Sequence, residues 1–331
     1  MDINEDQLWI NASVCPNDAL IKDILSLEMN EGLFDEQEHI IAFRSGNFKD
    51  SVDCQKSYTD VAFTHVQNLW DIFSKNAIEL EADFELITQG RTSQKANATN
   101  NILGEENLFI EEGAVLNCAI INASNGPVYI GKDAEVMEGS IIRGPFALCE
   151  ASQTKLGAKI YGPTTVGPYS KVGGELNNVV IFGYSNKGHD GFLGNSVLGE
   201  WCNIGADSNN SNLKNNYAEV RLWNYATGRF AHTGLQFCGL IMADHSKCGI
   251  NTMFNTGTVV GVSANIFGAG FPRNFIPSFS WGGPQGQSTF MIPKAFEVSE
   301  KVMARRNVVF DENDRKILTK VFDLSKDFRR K

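Results

Sequence analysis

Between Ile130 and Ile266 the apolar residues of this chain recur every six positions. Counted from Ile130, the series runs through Val136, Ile142, Leu148, Thr154, Ile160, Val166 and Val172, aliphatic throughout except at Thr154. After a jump of eight it resumes at Val180, Asn186, Phe192, Leu198 and Ile204, and after a longer break at Met242, Cys248, Phe254, Val260 and Ile266. Glycine often comes next, as in Ile130-Gly131, Val166-Gly167 and Ile204-Gly205. An α-helix repeats near 3.6 residues and a long strand near two, so neither accounts for six. A short strand followed by a tight bend does, if the chain coils into a three-sided tube and glycine relieves crowding at the corners. The pattern predicts a mainly β chain built round a parallel β-helix, with inward residues stacked coil upon coil.

The flanks follow other periods. Asn17 is placed to cap a helix running to Leu27 whose apolar face holds Leu20, Ile24 and Leu25, and His39 to Phe43 reads as a strand. Apolar residues at helical spacing between Val66 and Phe84 predict one further helix. Residues 88–106 are polar, aperiodic and rich in Gly, Ser and Asn, which predicts a linker. The expected organisation is therefore a partial α/β domain at 1–87, a linker at 88–106, the β-helix at 107–270 with its first rungs near Leu108, and a crossover with a C-terminal helical tail at 271–331. That tail should hold helices near 295–305 and 312–328 and is suited to cap the open end of the tube. The hexad breaks from 206 to 235, and loops thrown out of a solenoid tend to lie on its binding face.

Charge changes the picture in one respect. With 29 Lys and Arg against 39 Asp and Glu the net charge is −10, which argues against a nucleic-acid partner. An anionic substrate then needs a local cationic pocket. The seven cysteines form no C-x-x-C pair; Cys118, Cys149 and Cys202 read as small buried hydrophobes, and reduced thiols fit a cytoplasmic protein. No signal peptide or membrane-length apolar run is evident, so no membrane partner is expected.

The sharpest chemical candidate is His189, set among glycines in Lys187-Gly188-His189-Asp190-Gly191-Phe192. An imidazole on a corner, where glycines let a ligand approach the backbone, can take a proton from an attacking amine or hydroxyl. A three-histidine metal site would have only His189, His232 and His245 to draw on in this region. Their spacing lacks a close H-x₄-H pair, and His245 reads as an exposed corner, so no metal is expected there.

The stretch from Gly188 to Ala206, GHDGFLGNSVLGEWCNIGA, resembles the acetyltransferase half of the bifunctional glucosamine-1-phosphate acetyltransferase/N-acetylglucosamine-1-phosphate uridylyltransferase family. It also resembles archaeal sugar-1-phosphate nucleotidylyltransferases that carry a left-handed β-helix. The resemblance covers about half of the chain and implies a left-handed parallel β-helix of hexapeptide repeats. It implies that His189 is the general base and that Asn203 positions the amino sugar. Ala206, Asn212 and Gly268 would line an acetyl-CoA site. Lys159, Lys171 and Lys187 are the cations nearest a sugar phosphate, and Lys214 is within reach of cofactor phosphates. Phe192 stands at a substrate position where the family has tyrosine. The resemblance further implies a homotrimer with sites between neighbouring tubes.

A second match joins Trp70-Asp71-Ile72-Phe73-Ser74-Lys75-Asn76 and Asp83-Phe84 to the closing part of a sugar-phosphate nucleotidyltransferase domain. The family's glycine-rich loop ending in Thr-Arg-Met has no counterpart in this sequence, so the chain is expected to begin partway through that domain and to lack nucleotidyl transfer. Two readings of function follow. One is an acetyl-CoA-dependent acyltransferase acting on an amino-sugar phosphate in nucleotide-sugar biosynthesis. The other is a nucleotide-sugar binding or scaffold protein without catalysis.

Overall fold

The computed structural model describes residues 6–46 and 53–329. The chain divides into two compact units, 1–71 and 72–331.

In the first unit a four-stranded sheet orders Gln7–Ile10, Ile40–Ser45, Glu31–Phe34 and Gln55–Tyr58. The pairings are antiparallel except the last, which is parallel. Helix α1 (Asp18–Leu25) begins where expected, because the Asn17 side chain accepts a hydrogen bond from Leu20 N at 3.0 Å. Leu20 and Ile24 on its inner face join Leu27, Leu33 and Ile41 in one core. A separate two-stranded ladder pairs Val14–Cys15 with Thr64–His65.

The helical stretch after residue 70 is two segments rather than one, α2 (Asp71–Ser74) and α3 (Asn76–Thr88). Thr165 Oγ1 donates to Asn76 Oδ1 at 2.8 Å, which ties the start of α3 to the β-helix. The β-helix starts earlier than the hexads show. Asn101–Leu103 is already a rung, paired in parallel with Ile120–Asn122. The polar composition of the preceding segment also has a structural use. Gln94 Nε2 and Asn97 Nδ2 donate to the carbonyls of Ala114 and Leu116, and Asn100 Oδ1 accepts from Ala119 N. Amide side chains thus satisfy the otherwise unpaired edge of the first coil.

Three inward columns make the core. One runs Ile130, Leu148, Val166, Ile181, Leu198, Met242, Val260, Ile276. A second runs Leu116, Val136, Thr154, Val172, Lys187, Ile204, Cys248, Ile266. The third starts Ile121, Ile142, Ile160, Leu176, Leu193. The hexad count therefore slips by one residue in the middle. Val180, Asn186 and Phe192 do not point inward; Ile181, Lys187 and Leu193 do. The cause is a shortened coil. Gly173-Gly174 turns one edge in fewer residues than the coil below uses, and the long strand Glu175–Ile181 rounds the next corner at Asn178, with φ of 56°, where the coil below used Gly162-Pro163. The strand Phe192–Leu198 does the same at Asn195, which brings the count back into step at Leu198.

At another edge each coil places one residue in the left-handed region, and several of these are aromatic. Tyr169, Tyr184, Trp201 and His245 stack with ring centroids 4.9, 4.2 and 6.3 Å apart. His245 is thus a corner residue as expected, but not a bare one. The Ser299 hydroxyl of α4 (Ile292–Ala304) lies 3.3 Å from its Nδ1, and burial pushes the imidazole down to about 4. The tail leaves the repeat later than residue 271, since Phe275–Ile276 and Ser280–Gly283 are still rungs. Gly286–Thr289 closes one face as an antiparallel strand. α4 and α5 (Glu312–Leu324) then pack alongside the tube, on Trp201, Phe279 and Phe290, rather than across its end. Of the three coil cysteines only Cys202 is buried; Cys149 is partly covered and Cys118 exposed. Those three coil cysteines are free thiols. Among the described residues no helix is long and apolar enough to cross a membrane.

Candidate functional site

His189 lies on an exposed corner between the face of Asn186–Lys187 and that of Phe192–Leu198. The ladder sets its neighbours. Asn186 pairs with Asn203, Asn203 with Lys247, and Lys247 with Asn265. His189, Ala206, Ile250 and Gly268 each follow these residues at the same offset, so they form one edge column. The structure thus brings His189, Ala206 and Gly268 together along one edge. Gly268 has φ of 108° and lies against Gln285, whose amide donates to Ala269 O. Asp207 N donates to Asp190 O at 3.0 Å, which holds this corner to the coil above. Among the described residues the His189 ring has no hydrogen-bond partner.

Lys187 is not where a substrate cation would be. It occupies an inward column and is 1% exposed. Its ammonium donates to Gly173 O at 3.0 Å and to the carbonyl of His189, and desolvation lowers it to about 8. It braces the His189 corner from inside the tube and cannot meet a ligand at the surface. The one-residue slip in the hexad count hid this.

Lys171 does face outward. It is in register with Gln153 on one side and Asn186 on the other, and Asn203 follows in the same row. The flanking side chains each hold a further cation. Lys155 donates to Gln153 Oε1 at 3.0 Å, and Arg306, just past α4, lies 3.3 Å from Asn186 Oδ1. Partial burial first, then Arg306, Lys155 and Arg305, push the Lys171 ammonium below its ordinary value, with Glu135 opposing. In a chain of net charge −10 these four cations form a local positive field beside Asn203. Sequence reasoning missed Lys155, Asn186, Arg305 and Arg306. The Arg305-Arg306 pair at the end of an expected helix was a readable signal, but its docking on this face was not.

The other expected residues sit apart. Lys159 is exposed on the next face, in register with Glu175, which in turn pairs with Phe192. Phe192 points outward with its ring over Gly194. Asn212 donates to Asn195 Oδ1 at 2.8 Å and Lys214 to Glu219 O at 2.6 Å. Both belong to the excursion after Asn209–Asn210, beyond the Phe192 face. That excursion is a hairpin, Arg221–Asn224 with Arg229–His232, whose Trp223 stacks on Phe275 at 4.1 Å. A crevice lies there too, walled by Arg273, Phe275, Ser280, Thr289, Phe328 and Arg329, and His189 is not among its walls.

An α/β unit followed by a parallel β-helix of hexapeptide rungs, with a histidine on an edge beside a cationic face, is the class the coordinates define. Residues 1–92 match the model of the family described as sugar nucleotidyl transferase. A curated relative, the bifunctional sugar-1-phosphate nucleotidylyltransferase/acetyltransferase of Sulfurisphaera tokodaii, is 26% identical over 144 residues, 43% of this chain and 35% of that one. The chain thus spans about a third of that relative's length. Likenesses to solved structures are slight. An Arabidopsis UDP-N-acetylglucosamine acyltransferase aligns at 15% identity and a TM-score of 0.27, over 70% of this chain and 92% of that one. AntD, an N-acyltransferase from Bacillus cereus in complex with dTDP and coenzyme A, aligns at 12% and 0.26, over 62% and 91%. The family match and the curated relative bear out the resemblance drawn from the sequence: a sugar nucleotidyl transferase type of N-terminal segment joined to a hexapeptide-repeat β-helix.

Proposed function

We propose that this chain transfers an acyl group from acyl-CoA, with acetyl-CoA as the first donor to test, to the amine of an amino-sugar phosphate, with His189 as general base. The observation that carries the reading is the adjacency of an exposed imidazole edge to an outward row of Lys171, Asn186 and Asn203 flanked by Lys155, Arg305 and Arg306. The cations hold the acceptor's phosphate, and Asn203 orients the sugar. His189 takes the proton as the amine attacks the thioester carbonyl. An amide near Ala206 steadies the oxyanion, a role whose removal typically costs about 3 kcal/mol. The thiol of CoA leaves with the proton.

Asn212, Lys214 and Gly268 remain the residues proposed for the cofactor. Because Asn212 and Lys214 lie beyond the Phe192 face, they serve the His189 of a neighbouring copy more naturally than their own, which favours a homotrimer. The test is release of CoA when the full chain meets acetyl-CoA and hexosamine 1-phosphates. The lack of an orienting partner for His189 favours a second reading, a sugar-phosphate binding scaffold. Binding of sugar phosphates with no turnover of any acyl donor would support that one instead.

A further inference from the structure

A separate cluster lies wholly in the first unit. Asp35 and His39 begin and end the turn between Glu31–Phe34 and Ile40–Ser45, and His65 ends the short strand Thr64–His65. One donor atom from each lies within 4.8 Å of the other two. Tetrahedral zinc with bonds near 2.0–2.2 Å sets its ligand atoms about 3.4 Å apart, so a small contraction would suffice.

The surroundings aim these atoms. Asp35 is nearly buried, and its Oδ1 accepts from Gln37 N and His39 N at 2.9 and 2.8 Å. That fixes the carboxylate with Oδ2 2.8 Å from His39 Nδ1. On the other side the Ser13 hydroxyl donates to Asn11 Oδ1 at 2.7 Å, so its oxygen accepts from His65 Nε2 at 3.0 Å. The hydrogen of His65 is therefore on Nε2, and Nδ1 carries the lone pair. The two rings meet edge to face with centroids 5.3 Å apart. The Gln67 amide nitrogen lies 3.2 Å from His65 Nδ1 and 3.4 Å from His39 Nδ1. His39 Nδ1 cannot both donate to Asp35 and accept from Gln67, so the cluster as it stands frustrates one hydrogen bond.

We propose that Asp35, His39 and His65 form a binding site for a divalent transition metal of zinc type, with the Gln67 side-chain carbonyl or water as fourth ligand. On binding, the His39 proton moves to Nε2, Nδ1 turns to the metal, and the Gln67 amide reverses to present its oxygen. Two imidazoles and one carboxylate suit zinc better than the all-oxygen sets preferred by magnesium or calcium. The hydrogen bonds to Asp35 and His65 are the outer contacts that orient metal ligands. The metal would clip the Asp35–His39 turn to the strand bearing His65. The site is independent of the acyl-transfer reading.

The test uses the untagged full chain stripped with chelator. Equilibrium dialysis against Zn²⁺ should give one bound equivalent and a raised melting temperature, and Co²⁺ should show visible ligand-field bands without thiolate charge transfer. His39→Gln, at a half-exposed side chain that tolerates change, and Asp35→Asn should each weaken binding at least about tenfold. His232→Ala, at an exposed His–Glu pair elsewhere, should leave it unchanged. Less than one equivalent, affinity unaffected by His39→Gln, or a Co²⁺–thiolate spectrum would overturn the proposal.

Discussion

The ammonium of Lys187 reaches the backbone carbonyl of His189 from inside the β-helix. The exposed residue proposed for catalysis is therefore held in place by a buried charge. That arrangement has a stability signature. Below about 8 the lysine is protonated in folded and unfolded chains alike, and burying it costs stability. Between about 8 and the ordinary 10.5 the folded chain sheds its proton first while the unfolded chain keeps it, so stability should rise through that window. Lys187→Met should flatten the rise, with a gain near neutral pH of no more than about 3 kcal/mol. Denaturant midpoints measured across the window check this.

His245 works in the opposite pH range. Its folded value of about 4 lies below the ordinary 6.5, so the unfolded chain binds the extra proton first as pH falls. Stability present above 6.5 should be lost progressively down to about 4, by at most about 3 kcal/mol. His245→Phe, which keeps a ring on Trp201, should remove that acid sensitivity. Melting temperatures at several acidic pH values would show it.

The aromatic edge also carries packing energy. Trp201 is 6% exposed, stacked 4.2 Å from Tyr184 and covered by the cluster that includes α4 and α5. Trp201→Ala should cost about 3–5 kcal/mol. It should also loosen Arg305 and Arg306 beside Lys171, and urea denaturation paired with acceptor binding reads both effects.

The cationic row should discriminate by charge. Arg306→Met and Lys171→Met should each raise KM for a phosphorylated acceptor roughly tenfold, the equivalent of about 1.4 kcal/mol. Turnover at saturation should change little. An unphosphorylated amino sugar should respond to neither substitution, and added salt should mimic both.

Much of the architecture was legible because a stacked core imposes a repeat: Ile130, Leu148 and Val166 must recur in step to pack on one another. Where the coil shortened at Gly173-Gly174 and Asn178, the same arithmetic misplaced Lys187, since a count in sixes cannot sense a corner turned in fewer residues. The edge column of His189, Ala206 and Gly268 was within reach of the sequence. The cations of Arg305 and Arg306 were not, because they meet Lys171 through docking of α4 far along the chain, whereas Lys155 comes from the neighbouring rung, bonded to Gln153. The linker around Gln94 and Asn97 looked structureless because side-chain amides capping a sheet edge leave no periodicity.

The central claim is that the imidazole of His189 removes the proton from an attacking amine. Its most direct test is the single-turnover rate of acyl transfer to a saturating hexosamine 1-phosphate, in wild type and His189→Ala. The substitution is at an exposed corner and should leave folding intact. The rate should fall about 10²–10⁴-fold with acceptor affinity retained. Equal rates in the two proteins would contradict the account.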